Sequence, residues 1–553
     1  MVIMINRIVC FTLVFLMLFS SGCTAAPEEE IPSSEPTAAS ELEPISNEEI
    51  SPRTGGNLKL SMRLPKTLNP LLNADATVDN ILKLIFEQLA VLDDLQKPQP
   101  NLAESFNLAS DGMSVDIALR KDVDWSDGTP MMADDFTFSV STLMKAGDDV
   151  IYKSCVKNIR GYSKIDDYTV RIEFNSPDSG WAYDLCFPVI PEHYYSRESD
   201  ASSAKNMEPL GNGPYAFVSY TLVQELSLKS NRGYFRGKAN IDNITVIITP
   251  DSETDLYTFS QGLVDVVSAR IAEWGKYRGS SEPNMTEYAT TQYEFIGFNF
   301  NNIILQDVRI RKALAYATPT EQIMEEIYLR HALKANTAVS PATWLYEPET
   351  SSYPTDVSRA GSLIKEAGYK EEGEGEGLYL ELGGIKKQLE LNILVNEENE
   401  ERIKIADRLK KNLVDLKIAC LVEVLPFEEY EQRLREGRFD LFIGGFKMSA
   451  EQDLTFAFHG AYADRSIEGS NYFAYRSDEM NMLLEAATNA IGDEALIKAM
   501  SDLQKHMSDN LPCISLLFRN TALLTNKKIG GGFQPVVNNM FANIHEWFII
   551  EEK

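Results

Sequence analysis

The chain has 553 residues, 44% hydrophobic and 24% charged, with 52 Lys and Arg against 82 Asp and Glu, for a net charge of −30. That length suffices for two large lobes with separate cores. So acidic a surface repels phosphate backbones, which disfavours nucleic acid as a partner but leaves the character of any binding pocket open.

In chain order, Arg7 precedes an apolar run over residues 8–19 broken only by Thr12, followed by Ser20, Ser21, Gly22 and Cys23. The run is shorter than the roughly 20 residues a bilayer span needs. A basic flank, an apolar core and a small-residue exit predict a signal peptide over residues 1–22. Cys directly after Gly22 resembles a bacterial lipoprotein signal, in which the thiol is acylated and Cys23 becomes the mature N-terminus. Ser20 departs from the Leu favoured there, and an ordinary signal peptide or a short membrane anchor is the other reading. Residues 24–52 hold eight Glu and five Pro with no Lys or Arg. Such a segment buries too little apolar surface to offset the entropy of ordering, so residues 23–55 are expected to form a disordered acidic tether. Its coil reach is about 30 Å and its stretched limit about 100 Å.

Cys155, Cys186, Cys420 and Cys513 are widely spaced and form no C-x-x-C pair. This is neither a disulfide-dense scaffold nor a zinc site; buried thiols are expected, with a Cys155–Cys186 bridge left open. Folded sequence begins near Gly56 with a strand, then Thr67-Leu-Asn-Pro and a helix expected over residues 78–90. Asp111-Gly112 marks a hairpin whose Met113, Val115, Ile117 and Leu119 alternate. Trp125-Ser-Asp-Gly-Thr-Pro is a tight turn before a capped helix from Asp134, and Gly211-Asn-Gly-Pro-Tyr is a turn opening a strand-rich stretch to about Thr249. In both, Gly is expected to supply unusual backbone angles and Pro a fixed φ. Thr318-Pro-Thr-Glu321 predicts a capping box between two helices. From Leu389 the periodicity becomes β-α-β-α-β, the mark of a largely parallel sheet. The Gly-rich run over residues 371–377 lacks the strand–helix context of a nucleotide fingerprint and is expected to be a solvated loop.

These blocks, in this order, resemble the solute-binding protein family 5 of bacterial ABC importers, the dipeptide, oligopeptide and nickel-binding group. The resemblance rests on Thr67-Leu-Asn-Pro, Leu102-Ala-Glu-Ser, the stretch from Asp111-Gly through Trp125-Ser-Asp-Gly-Thr-Pro to Asp135-Phe, Gly211-Asn-Gly-Pro-Tyr, Gln261-Gly-Leu-Val-Asp265, Gly297-Phe-Asn-Phe and Asp307-Val-Arg-Ile-Arg-Lys-Ala-Leu-Ala-Tyr-Ala. It implies an α/β, two-lobed periplasmic-binding-protein-like fold (type II, cluster C-like) with hinge-linked lobes and an extra subdomain in lobe I. Lobe I is expected over 56–290, with the subdomain near 91–208, lobe II over 291–517, and a C-terminal return to lobe I over 518–553. The implied role is an ABC-importer substrate-binding lipoprotein, acting as a monomer and lipid-anchored on the extracytoplasmic face of the cell membrane. It would deliver a small solute, foremost an oligopeptide, to permease subunits. A Gram-positive surface is favoured over a periplasm. Chelated nickel, a sugar, or a sensing role without transport are the alternatives.

Peptide-binding members carry an aromatic followed by Asp-Tyr where this chain has Phe446, Lys447, Met448, Ser449 and Ala450. The first Asp pairs with the peptide ammonium, so Ser449 puts that anchor in doubt, and Asp453 or Glu451 could supply a carboxylate from a shifted position. Lys447 would suit an anionic group or stand as a surface lysine. Asn73, Ala74, Asp75, Ala76 and Thr77 occupy the family's ligand-facing loop, where exposed backbone can pair with an extended peptide. Phe298, Asn299 and Tyr475 are further pocket candidates, equally readable as core or strand-end packing. Arg309 and Arg311 are read as structural pairs. His459 lies where nickel-binding relatives place a His, yet no His in the chain has metal-ligand spacing. No cofactor or metal is expected, and without H-E-x-x-H, G-x-S-x-G or a P-loop the chain is not expected to be an enzyme.

Overall fold

Alternating apolar residues build the first sheet. Leu58, Leu60 and Met62 of the strand Asn57–Met62 are buried, and this strand pairs in parallel with Asn243–Ile248, then antiparallel through Glu225–Ser230 to Tyr215–Thr221. The computed structural model describes residues 54–196, 203–270, 283–371, 377–382, 384–464 and 470–550. The expected signal peptide, Cys23, nearly all of the tether and most of the 371–377 loop lie outside the described residues.

The predicted hairpin is present as Ala103–Leu108 and Ser114–Leu119, turning at Gly112 with φ +68. It continues into a four-stranded antiparallel sheet with Thr169–Phe174 and Ile159–Asp166, on which the helix Ala133–Lys145 packs. Asp135, not Asp134, closes that helix's first turn: its carboxylate accepts from the Met132 amide at 2.9 Å and the Trp125 indole at 3.1 Å.

The helix expected over residues 78–90 stops at Leu82; only Ala76–Leu82 is helical. The carbonyls of Leu84 and Ile85 accept instead from the amides of Tyr215 and Gly213, and the Glu87 amide donates to the Asn212 side chain. The Gly211-Asn-Gly-Pro-Tyr turn has taken the bonds that would extend the helix. The expected capping box is also absent. The Thr318 hydroxyl donates back to the Leu314 carbonyl at 2.9 Å, ending the helix Val308–Ala317, and a three-residue helix, Thr320–Gln322, follows.

The β-α-β-α-β stretch runs Glu390–Asn396, Glu400–Asp415, Ala419–Leu425, Phe427–Glu436 and Leu441–Lys447, its three strands parallel. Ile405, Ala406, Leu409 and Leu413 form the buried face of the first helix, and Gly437 at φ +68 ends the second. Two long strands, Asn284–Phe298 and Cys513–Thr525, pair with each other along most of their length. One end lies beside Val266–Ala269; the other joins the parallel strands through Leu441–Lys447. Their register shifts between Ala289 and Tyr293, opposite Arg519.

One core gathers residues from Leu58 to Val246 with Val266, Leu523, Ile529, Phe541, Ile544 and Trp547. Two further clusters, drawn from residues 293–518, flank the sheet that holds the parallel strands. The fold is therefore two lobes joined through the paired long strands. The four later cysteines are free thiols.

Candidate functional site: the cleft between the lobes

Away from the long strands the lobes touch directly. The Ser179 amide donates to the Thr488 carbonyl at 2.8 Å and the Trp344 amide to the Leu95 carbonyl at 3.0 Å. The Trp344 indole donates to the Tyr183 hydroxyl at 2.9 Å, and Lys97 pairs with Asp493 at 2.6 Å.

Adjoining cavities lead from the first lobe to this seam. One, about 620 Å³, is walled by the first lobe alone: by Lys83, Glu87, Gln88 and residues 91–94, by Tyr234 and Arg236, by Thr286 and Glu287 of a long strand, and by the C-terminal segment up to His545. Lys83, Leu92 and Asn538 also line a second cavity of about 230 Å³ that reaches across to Ser449, Ala450 and Glu451 of the other lobe. Glu451 in turn faces a third, about 100 Å³, with Asp178 and Asp453.

Carboxylates dominate the seam. Asp178 and Asp184 come from one lobe, Glu451 and Asp453 from the other. A Cβ on Gly180 would stand 2.7 Å from Glu451 Oε2 and 3.2 Å from Asp178 Oδ1, so carboxylates from opposite lobes share one side of that glycine. Burial, then the Glu451 and Asp178 charges, push the Asp184 carboxyl up to about 9. Burial, then Asp178 and Asp453, push Glu451 up to about 7. The loop carrying Glu451 is fixed by Gln452: φ +61, 1% exposed, its side chain accepting from the Ser340 amide and donating to the Ser449 carbonyl. Neither Gly180 nor Gln452 was singled out in the sequence, because each acts through a contact with a distant segment.

The sequence candidates divide by location. Ser449 and Asp453 line the seam; Asp453 also accepts from the Thr455 amide at 2.8 Å. Lys447 is exposed at its strand end, and Met448 is buried with its amide on the Thr291 carbonyl. Phe446 lines a separate cavity of about 210 Å³ at the ends of the parallel strands, among Phe295, Tyr430, Phe442, Tyr472 and Arg402. Arg402 was not anticipated; with Arg519 it holds Glu294 at 2.8 Å, and Glu294 is only 1% exposed.

Residues 73–77 line none of these cavities. Asn73 is buried and bonded to the backbone of Asp75, Asp75 caps the Ala76–Leu82 helix and accepts from the Thr77 hydroxyl, and Ala74 and Ala76 are exposed. Phe298 is core, Asn299 clamps the carbonyls of Gly437 and Phe439, and Tyr475 packs edge-on against Phe300. Arg311 donates to the carbonyls of Leu305, Gln306, Asn510 and Leu511, and Arg309 pairs with Asp307. His459 approaches Glu485 at 3.4 Å, and no group of three or more His, Cys, Asp or Glu suited to a metal ion occurs among the described residues.

Two lobes joined by paired strands, with adjoining cavities that run from one lobe to the seam, have the architecture of a binding protein that encloses its solute. The chain belongs to the bacterial extracellular solute-binding proteins, family 5, whose description matches residues 97–464. It is 22% identical over 510 residues to the oligopeptide-binding protein AppA of Bacillus subtilis (strain 168), covering 90% of this chain and 92% of that one. It is 24% identical over 442 residues to heme-binding protein A of Haemophilus influenzae, covering 75% and 78%. The solved structure of HbpA2 from Haemophilus parasuis superposes with a TM-score of 0.76 at 21% identity, over 89% of this chain and all of that one.

Proposed function

We propose that this protein is the capture subunit of an ABC importer, anchored by acylated Cys23 through a tether over residues 23–55, and that its solute is an oligopeptide. The observation that supports the ligand reading is the run of adjoining cavities, from one of about 620 Å³ in the first lobe to one of about 230 Å³ that reaches Ser449 and Glu451 of the second. The first volume suits an extended ligand, within the roughly 300–1,000 Å³ of ligand pockets generally. Glu451 or Asp453 takes the ammonium in place of the carboxylate that Ser449 lacks. Residues 73–77, Phe298, Asn299, Phe446, Lys447, Met448 and Tyr475 are proposed as further ligand contacts. In this reading lobe I spans 56–290 and 518–553, lobe II spans 291–517, and the hinge is the register shift near Tyr293. A micromolar complex needs about 8 kcal/mol net, within reach of a few buried contacts.

The test is mass spectrometry of ligand released from purified protein, then thermal-shift titration with a peptide library. Peptides of four or more residues should raise the melting temperature. No shift with peptides, alongside a shift with heme, saccharides or metal chelates, would remove the peptide assignment.

A further inference from the structure

The seam between the lobes joins like charges. Asp178 and Asp184 face Glu451 and Asp453, and the cavity that Asp178, Glu451 and Asp453 share has no Lys, Arg or His in its lining. The nearest lining cation is Lys83, which is paired with Asp79 and donates to the Asn538 carbonyl. The neighbouring thiols and phenols stay neutral near pH 7, because burial drives Cys155, Cys186, Tyr152 and Tyr183 upward. Lys97 and Asp493, on the rim, neutralise each other. Closing the lobes removes Glu451 from water and brings it against Asp178 beside Gly180, with nothing positive to balance the pair.

We propose that closure of the lobes takes up a proton at the Glu451–Asp178–Asp184 group, so that acidity favours the closed form. The proposal rests on the cleft being the closing site but not on which solute it holds. With the lobes apart, Glu451 regains water and loses the facing charge, returning toward the ordinary carboxylate range. Its proton is thus bound more tightly in the closed form. The Glu451 share of this stabilisation is present at low pH and is lost as pH rises through about 7, its closed-state value, while Asp184, pushed up to about 9, extends the linkage to higher pH. One proton linked in this way changes the closed-to-open ratio about tenfold per pH unit.

Two amides report closure without any solute: Ser179, bonded to Thr488, and Trp344, bonded to Leu95, each across the seam. Their hydrogen-exchange protection factors, corrected for the intrinsic pH dependence of exchange, should rise about tenfold per unit from pH 7 to pH 5 in the wild-type protein. Glu451→Gln should reduce that slope, and Asp178→Asn provides a second variant should the first fold poorly. Protection factors constant with pH in the wild type, or a wild-type slope kept in both variants, would overturn the proposal. Because no peptide enters the measurement, an error in the ligand assignment leaves its outcome unaffected.

Discussion

Gly128 and Gly211 sit in the two turns that stand out in the sequence, and they are glycine for different reasons. Gly128 has φ +87 and open space where a Cβ would go. Gly211 lacks a positive φ, but a Cβ there would stand 1.9 Å from the Ile85 carbonyl oxygen and 2.7 Å from its carbon. The expectation of unusual backbone angles is thus met at Gly128 and replaced at Gly211 by close approach. Gly128→Ala should cost about 1–2 kcal/mol, the ordinary penalty for a left-handed residue. Gly211→Ala should cost more, because backbone cannot retreat as a flexible side chain can. Urea denaturation of both variants checks the order, and equal midpoints would refute it. That both positions need glycine is legible in the sequence; the reason at Gly211 lies 126 residues away and is not.

Among elements, the parallel strands and their helices are legible because their periodicity is local. Leu391, Ile393 and Val395 alternate into the core, and the helix Glu400–Asp415 turns one apolar face inward. The helix before Gly211 is misjudged because tertiary hydrogen bonds override its propensity after Leu82. The long strands carry a feature no pattern signals: Glu294 of one holds Arg519 of the other and Arg402 of the Glu400–Asp415 helix. Three charges thus tie the crossing strands to the second lobe. Removing the one anion leaves two guanidinium groups uncompensated, so Glu294→Gln should lose about 3–5 kcal/mol of stability. A calorimetric scan would show it as a lowered melting temperature; an unchanged one would mean that water already compensates the pair.

For the whole molecule, the proposed anchor decides where capture takes place. One acyl chain binds membranes marginally, since each buried CH₂ contributes about 0.8 kcal/mol, so durable retention requires several chains on Cys23. Cys23→Ser should therefore leave protein that is neither cleaved nor labelled by radioactive fatty acid; normal labelling of the variant would rule the anchor out. The two-lobed plan was visible as ordered blocks along the chain. Only one side of the seam was: Ser449, Glu451 and Asp453 stand in the stretch the sequence singles out, whereas Asp178, Gly180 and Asp184 acquire their meaning only when distant segments meet.

The first core's need for Ile529, Phe541, Ile544 and Trp547 also has a consequence for biosynthesis. A chain emerging N-terminus first exposes the start of that lobe early but delivers these residues only after the whole of the second lobe. The second lobe, whose core comes from the unbroken stretch 293–518, has all its parts sooner. The first lobe is thus completed only after the second, and its half-finished apolar surface must be kept from aggregation until residues 529–547 arrive.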